Sequence, residues 1–210
     1  MGRITAIEPQ KNRRNRRSIF VDGDFAAGVH DDVVVSLGLA VGQTVDEERL
    51  TELLREETFR KARDRALLLL SYRDRSIGEV RKRLLGSDFP EDVVVQVIEQ
   101  LAKLQLLDDD KFSRDWVRAR TQSKPMGKVR LFAELRSKGV EKETVENALQ
   151  ELDQASEVRL ARELAVRKLE KIDRNDPASR RKLAGFLARR GFGWEVVSEV
   201  MESLSSDSDE

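Results

Sequence analysis

The sequence predicts a mainly α protein: three tandem three-helix repeats forming an elongated curved array, with a small N-terminal extension of β-hairpin and short helix. Three observations predict it. The chain aligns with itself three times without gaps, at spacings of 51 and 52 residues between Leu84, Leu135 and Leu187, and such a fixed period marks stacked supersecondary units. Inside each aligned stretch the apolar residues recur at the helical period. Charged residues make up 37% of the 210 residues and hydrophobic ones 39%. That is well above the roughly 25% charge of an ordinary soluble domain. It disfavours one thick core and suits thin helical packing with wet outer faces.

The extension covers residues 1–57. Ile4, Ala6 and then Ser18 to Val21 have strand composition, and Asp22-Gly23 leads at once into Phe25, Ala27 and Val29. Asp-Gly between two such runs predicts a type I′ hairpin. Asp31 or Asp32 is placed to cap a short helix through Val33 to Leu37, with Gly38 ending it. Gly42 to Val45 returns to the sheet, and Asp46 caps a helix beginning at Glu47. Arg13, Arg14, Arg16 and Arg17 fall in the expected loop between the first two strands, as an exposed arm suited to DNA. His30, alone after a strand, reads as a polar strand-end residue and not as a ligand.

The repeats are expected at 58–107, 108–153 and 154–204. Four residues before the aligned leucines stand Val80, Leu131 and Leu183, which share a helical stripe with them. Five residues after stand Phe89, Val140 and Phe192, in the turn between helices. Val94, Val145 and Val197, then Ile98, Leu149 and Met201, then Leu101, Leu152 and Leu204, form a second stripe at i, i+4, i+7. Gly139 and Gly191 end the first of these helices, and Gly86, Ser87 and Asp88 occupy that place in the first repeat. Each pair is preceded by another helix, near 58–71, 109–122 and 156–172. Residues 205–210 read as a disordered acidic tail.

Composition excludes several functions. No cysteine means no disulfide, no thiolate catalysis and no cysteine-ligated metal. One histidine leaves little for imidazole metal sites or a Ser/His triad. Apolar runs such as Ala66 to Leu70 are far shorter than the about 20 residues that cross a bilayer. No apolar segment follows the N-terminal basic residues, so a signal peptide is not expected and an intracellular setting is.

Lys+Arg and Asp+Glu are 39 each, but they are segregated. Residues 1–20 hold six bases and one acid, residues 91–115 seven acids and three bases, and residues 159–190 eleven bases and four acids. Each block is either a solvated helix face or a surface for a polyanion or a charged protein. Lys124, Lys128 and Arg130 flank the turn Pro125-Met126-Gly127, and Arg180, Arg181 and Lys182 take the same place in the third repeat. Phosphate contacts from such residues are salt-sensitive. Ser76 and Glu79 form the S-x-x-E pattern of a capping box. Arg73 and Arg75, in the turn before it, either pair with Asp108, Asp109 and Asp110 or reach a phosphate or a partner carboxylate. The three aspartates cap the following helix or hold Mg²⁺. No second carboxylate cluster completes a nuclease site, and neither a catalytic residue nor a metal or other cofactor is expected. Trp116 shares an apolar stripe with Phe112, which points to core packing. Trp194, at a helix start, is either core or a stacking platform for bases.

Four motifs together resemble the RecX family of recombinase regulators. They are Leu70-Ser71-Tyr72-Arg73-Asp74-Arg75-Ser76-Ile77-Gly78-Glu79-Val80; Leu107-Asp108-Asp109-Asp110-Lys111-Phe112 with Trp116-Val117 and Arg120; Gly127 with Leu131, Glu134-Leu135 and Lys138-Gly139-Val140; and the Asp-Gly hairpin extension. The third repeat departs from the pattern after Phe192, with Gly193-Trp194 where the second has Glu141-Lys142. The resemblance implies a cytoplasmic, non-enzymatic protein that binds the RecA–DNA filament and inhibits RecA ATPase, strand exchange and coprotease activity in recombinational repair and the SOS response. Its contacts to RecA, or to single- or double-stranded DNA, would come from Arg73, Arg75, Lys124, Lys128, Arg130, Arg180, Arg181 and Lys182, and a monomer is expected. The alternative is a helical-repeat protein that binds nucleic acid without RecA.

Overall fold

A computed structural model describes residues 1–11, 13–170 and 177–206. Its elements are β1 Gly2–Gln10, β2 Arg13–Val21, β3 Asp24–His30, α1 Asp31–Ser36, β4 Thr44–Val45, α2 Glu47–Tyr72, α3 Ile77–Leu85, α4 Glu91–Lys103, α5 Asp109–Ser123, α6 Lys128–Ser137, α7 Lys142–Gln150, α8 Gln154–Leu169, α9 Pro177–Arg189 and α10 Trp194–Ser206. They form two compact units that divide after Asp108.

The first unit begins with an antiparallel sheet in the order β3-β2-β1-β4. Asp22 and Gly23, at φ 52° and 95°, make the β2–β3 turn with both residues left-handed, as a type I′ turn requires. Ile4, Ile19, Val21 and Val29 face a core shared with Val33 of α1 and with Leu50 and Leu54 of α2. The cap of α1 is His30, whose Nδ1 accepts from the Asp32 N–H at 3.2 Å. Asp31 and Asp32 are instead the first helical turn, so the expected aspartate cap is corrected to the strand-end histidine. Asp46 caps α2 through the Arg49 N–H at 2.9 Å.

Helix α2 runs unbroken for 26 residues across position 57. No proline or glycine interrupts it. Its first half packs on the sheet, and Ala62 and Ala66 then pack against Val80, Leu84, Val94, Val97 and Leu101 of α3 and α4. The extension and the first repeat therefore share one helix.

The second unit holds the other two repeats. Leu131, Leu135, Val140 and Val145 centre one core, and Leu183, Leu187, Phe192 and Val197 the other. The aligned leucines and the residues four before and five after them are buried in all three repeats. The left-handed residue that ends each middle helix is Asp88, Gly139 or Gly191, at φ 64°, 81° and 85°. All three stand four residues after the aligned leucine. Helix α10 extends through Ser206, past the expected repeat end at 204, and residues 207–210 of the predicted tail lie outside the described residues. Helix α8 stops at Leu169, and the last two residues predicted for it also lie outside them.

Candidate partner-binding surface

The first surprise is the arginine arm. All four of its residues lie in β2, not in a loop, because the β1–β2 connection is only residues 11 and 12. Arg16 is buried. Its Nη1 donates to the Asp88 carbonyl at 2.9 Å and its Nη2 to the Gly28 carbonyl. Burial, and then Arg13, pull its guanidinium below the ordinary value. His30 stacks on Phe89 with ring centroids 5.0 Å apart, beside the same turn. Arg16 is thus a bolt between the sheet and the first repeat. Arg17 forms an ion pair with Asp31 at 2.9 Å. Arg13 is exposed.

The Ser76 box is complete. The Glu79 N–H donates to Ser76 Oγ at 3.1 Å and the Ser76 N–H to Glu79 Oε2 at 3.4 Å. Arg73 grips the same Glu79 carboxylate through two nitrogens at 3.1 and 2.9 Å, and that hydrogen bonding holds its pKa above the ordinary value. Arg75 Nε donates to the Leu69 carbonyl at 2.9 Å. Both arginines thus close their own turn. Asp109 and Asp110 form the first turn of α5. Among the described residues no three His, Asp or Glu side chains gather as a metal site.

In the second unit Lys124 follows α5 and Lys128 and Arg130 open α6, flanking the Pro125-Met126-Gly127 turn as expected, whereas Arg180, Arg181 and Lys182 are inside α9 and not in a turn. Arg130 is partly engaged: its Nη1 donates to the Arg189 carbonyl at 3.2 Å and its Nε faces Glu134 at 3.7 Å. Lys124, Arg181 and Lys182 are exposed and form no ion pair among the described residues. Of the ten described helices, α6 and α9 alone have no acid in the first turn. Both carry bases near that end instead, against the positive pole of the helix dipole. At α6 the carboxylate at the positive pole comes from another helix, as buried Glu157 of α8.

The start of α6 is held by the next repeat. The Gly127 and Val129 N–H groups donate to the carbonyls of Arg190 and Gly191 at 3.0 and 3.1 Å. The Lys128 N–H donates to Oε1 of buried Glu157, in α8, at 2.8 Å. A Cβ on Gly127 would lie 2.2 Å from the Gly191 oxygen, and one on Gly191 would lie 2.3 Å from Arg130 Cβ. Sequence reasoning missed Glu157 because its acceptor role lies 29 residues away. It also passed over Arg159, Arg162 and Arg167, which with Glu163 and Val166 line a shallow hollow on α8; their i, i+3, i+8 spacing carried that signal. Trp116 is core, as predicted. It stacks on Phe112, its Nε1 donates to Glu134 at 3.2 Å, and Arg120 and Lys138 cover the ring at 4.4 and 4.2 Å. Trp194 is exposed.

Four family models match in chain order: the Regulatory protein RecX N-terminal domain over residues 2–46, and the RecX first, second and third three-helix domains over 62–101, 108–149 and 155–201. The chain belongs to the RecX family. Regulatory protein RecX of Clostridioides difficile (strain 630) is 30% identical over 205 residues, covering 97% of this chain and 96% of that one. Regulatory protein RecX of Bacillus subtilis (strain 168) is 32% identical over 210 residues, 99% of this chain and 79% of that one. A solved structure described as the crystal structure of regulatory protein RecX superposes with a TM-score of 0.67 at 28% identity, over 96% of this chain and all of that one. RecX proteins are regulatory proteins of DNA recombination and repair, and the extension and three repeats seen here are the RecX architecture. No described helix is long and apolar enough to cross a membrane.

Proposed function

We propose that this RecX-family chain binds the RecA–DNA filament in the cytoplasm, as a monomer without catalytic chemistry, and inhibits RecA ATPase, strand exchange and coprotease activity. Membership of the family supports the target. The observation that carries the binding surface is the set of exposed bases Lys124, Arg181 and Lys182, which form no ion pair among the described residues, near the starts of α6 and α9, whose own first turns hold no acid. Arg73, Arg75 and Arg130 are removed from the front rank, since each is engaged within the fold.

The test is RecA ATP hydrolysis on single-stranded DNA, titrated with the protein. Inhibition well below one molecule per recombinase monomer means action on filament growth or on a filament end. Inhibition only near equimolarity means coating of the groove or competition for DNA. Unchanged hydrolysis and strand exchange at saturation refute the proposal. The second reading, DNA binding without RecA, is favoured by the same basic helix starts. It requires tight binding of DNA alone, lost when Arg181 and Lys182 are neutralised.

A further inference from the structure

Trp194 contributes little to any core: it is the first residue of α10 and is 80% exposed. The matching positions in the first two repeats, seven residues after Leu84 and Leu135, hold Glu91 and Lys142. Charge is what a wet helix start calls for, and the other two repeats supply it. Only the third places a large flat aromatic in water.

The indole borders a groove between two helices. Helix α9 supplies Arg180 and Ala184, and α10 supplies Val197, Ser198, Met201 and Glu202. Arg181 and Lys182 follow Arg180 on α9, exposed. The groove therefore joins an exposed aromatic and an apolar lining to one base on the α9 wall, Arg180, and one acid on the α10 wall, Glu202, with Arg181 exposed next to Arg180. A single-stranded nucleic acid has the complementary pair of features, a flat base with free π-faces and an anionic backbone. A duplex does not, because its bases stack on one another.

We propose that Trp194 is a stacking platform for an unpaired base of single-stranded DNA, with Arg180 on the groove wall and Arg181 next to it on α9 receiving the phosphates. This rests on the reading that the third repeat meets DNA and adds which form of DNA it selects and how.

The chain has two tryptophans, and Trp116 is bonded to Glu134 beneath Arg120 and Lys138. In full-length W116F, Trp194 is the one indole emitter. The probes are an oligothymidylate of about 15 nucleotides, near the upper site size of common single-strand binders, and a duplex of equal length. The oligothymidylate quenches Trp194 and the duplex does not. W194A weakens oligothymidylate binding, read by anisotropy, about 10-fold, and W194F recovers most of it. If W116F fails to fold by circular dichroism, the same quenching is compared between the unaltered chain and W194A. Unchanged emission at saturation, or unchanged affinity in W194A, overturns the platform and leaves DNA binding in place. Unchanged DNA affinity in W194A with loss of the effect on RecA hydrolysis also overturns it and assigns the groove to a protein. No binding of either DNA by the unaltered chain overturns the platform and direct DNA contact together, and the hydrolysis titration then decides the filament reading alone.

Discussion

Arg13 and Arg16 stand three residues apart on one strand and do opposite things. Arg16 is buried and donates to two backbone carbonyls, one in the first repeat. Removing it strands the Asp88 carbonyl, and a hydrogen bond from a charged donor is worth about 1.5–3 kcal/mol. Arg16→Met is expected to lower stability by about 2 kcal/mol in urea unfolding, whereas Arg13→Ala leaves it unchanged. Neutralising all four arginines at once therefore tests folding more than DNA contact. Arg16's role was hidden in the sequence because both acceptors are main-chain atoms, one of them 72 residues away. A run of arginines in a short span looks like a solvated arm until β-pairing places alternate side chains on opposite faces. Glu57 was hidden differently: its Arg60 partner is local, but its burial and its bond from Ser36, 21 residues away, are not. It is buried, receives two bonds from Arg60 at 2.6 Å each and one from Ser36, and the Arg60 bonds chiefly hold its pKa below the ordinary value. A depressed carboxylate stabilises the fold above its unfolded pKa of about 4.3 and ceases to as pH falls through the lower folded value. Glu57→Gln is thus expected to be destabilising at pH 7, with the difference from the unaltered chain shrinking as pH falls below about 4.3 and vanishing only beneath the lower folded value. Urea midpoints across that range check it.

At the scale of elements, the caps set the helix starts. Ser76 is fully buried within a complete capping box, and Ser76→Ala is expected to remove about 1 kcal/mol of stability. That box was legible because it is local, three residues long and made of side chains. The cap of α6 was not. Gly127 offers no side chain, and Glu157 arrives from the following repeat. Gly127→Ala drives a methyl into the Gly191 carbonyl and is expected to cost about 2–3 kcal/mol, in the range of overpacked cores, with hydrogen exchange rising first at the α6 and α9 ends. The single helix across position 57 was half legible. Asp46 announced its start and the apolar pattern its end, and the absence of any breaker between them made one helix of two expectations.

For the whole molecule, the three-fold repeat made the fold readable. Burial at period 51–52 needs no partner to explain it, and every aligned leucine is inside. The binding surface was readable only as a set of basic residues. Which of them fold the chain depends on acceptors far off in sequence, and that sorting needed the structure. It leaves Lys124, Arg181 and Lys182 facing outward. The double variant Arg181→Ala/Lys182→Ala is expected to keep the thermal midpoint within about 1 °C while weakening binding to single-stranded DNA. The slope of log affinity against log salt should become less steep by about 1.4, as for two lost phosphate contacts. Titrations at several salt concentrations measure it.

The join between the second and third repeats has a main-chain centre. Gly127 and Gly191 meet with no side chain between them and amide-to-carbonyl bonds run across them, with Glu157 and Arg130 adding one side-chain bond each. The angle between these two repeats is consequently insulated from most of the mutations the chain can acquire. Outward residues on either repeat are free to drift, or to be redesigned for a new target, without turning one repeat against the other. Two glycines act as the hinge pin of the pair, and a recognition surface grafted anywhere else inherits their alignment.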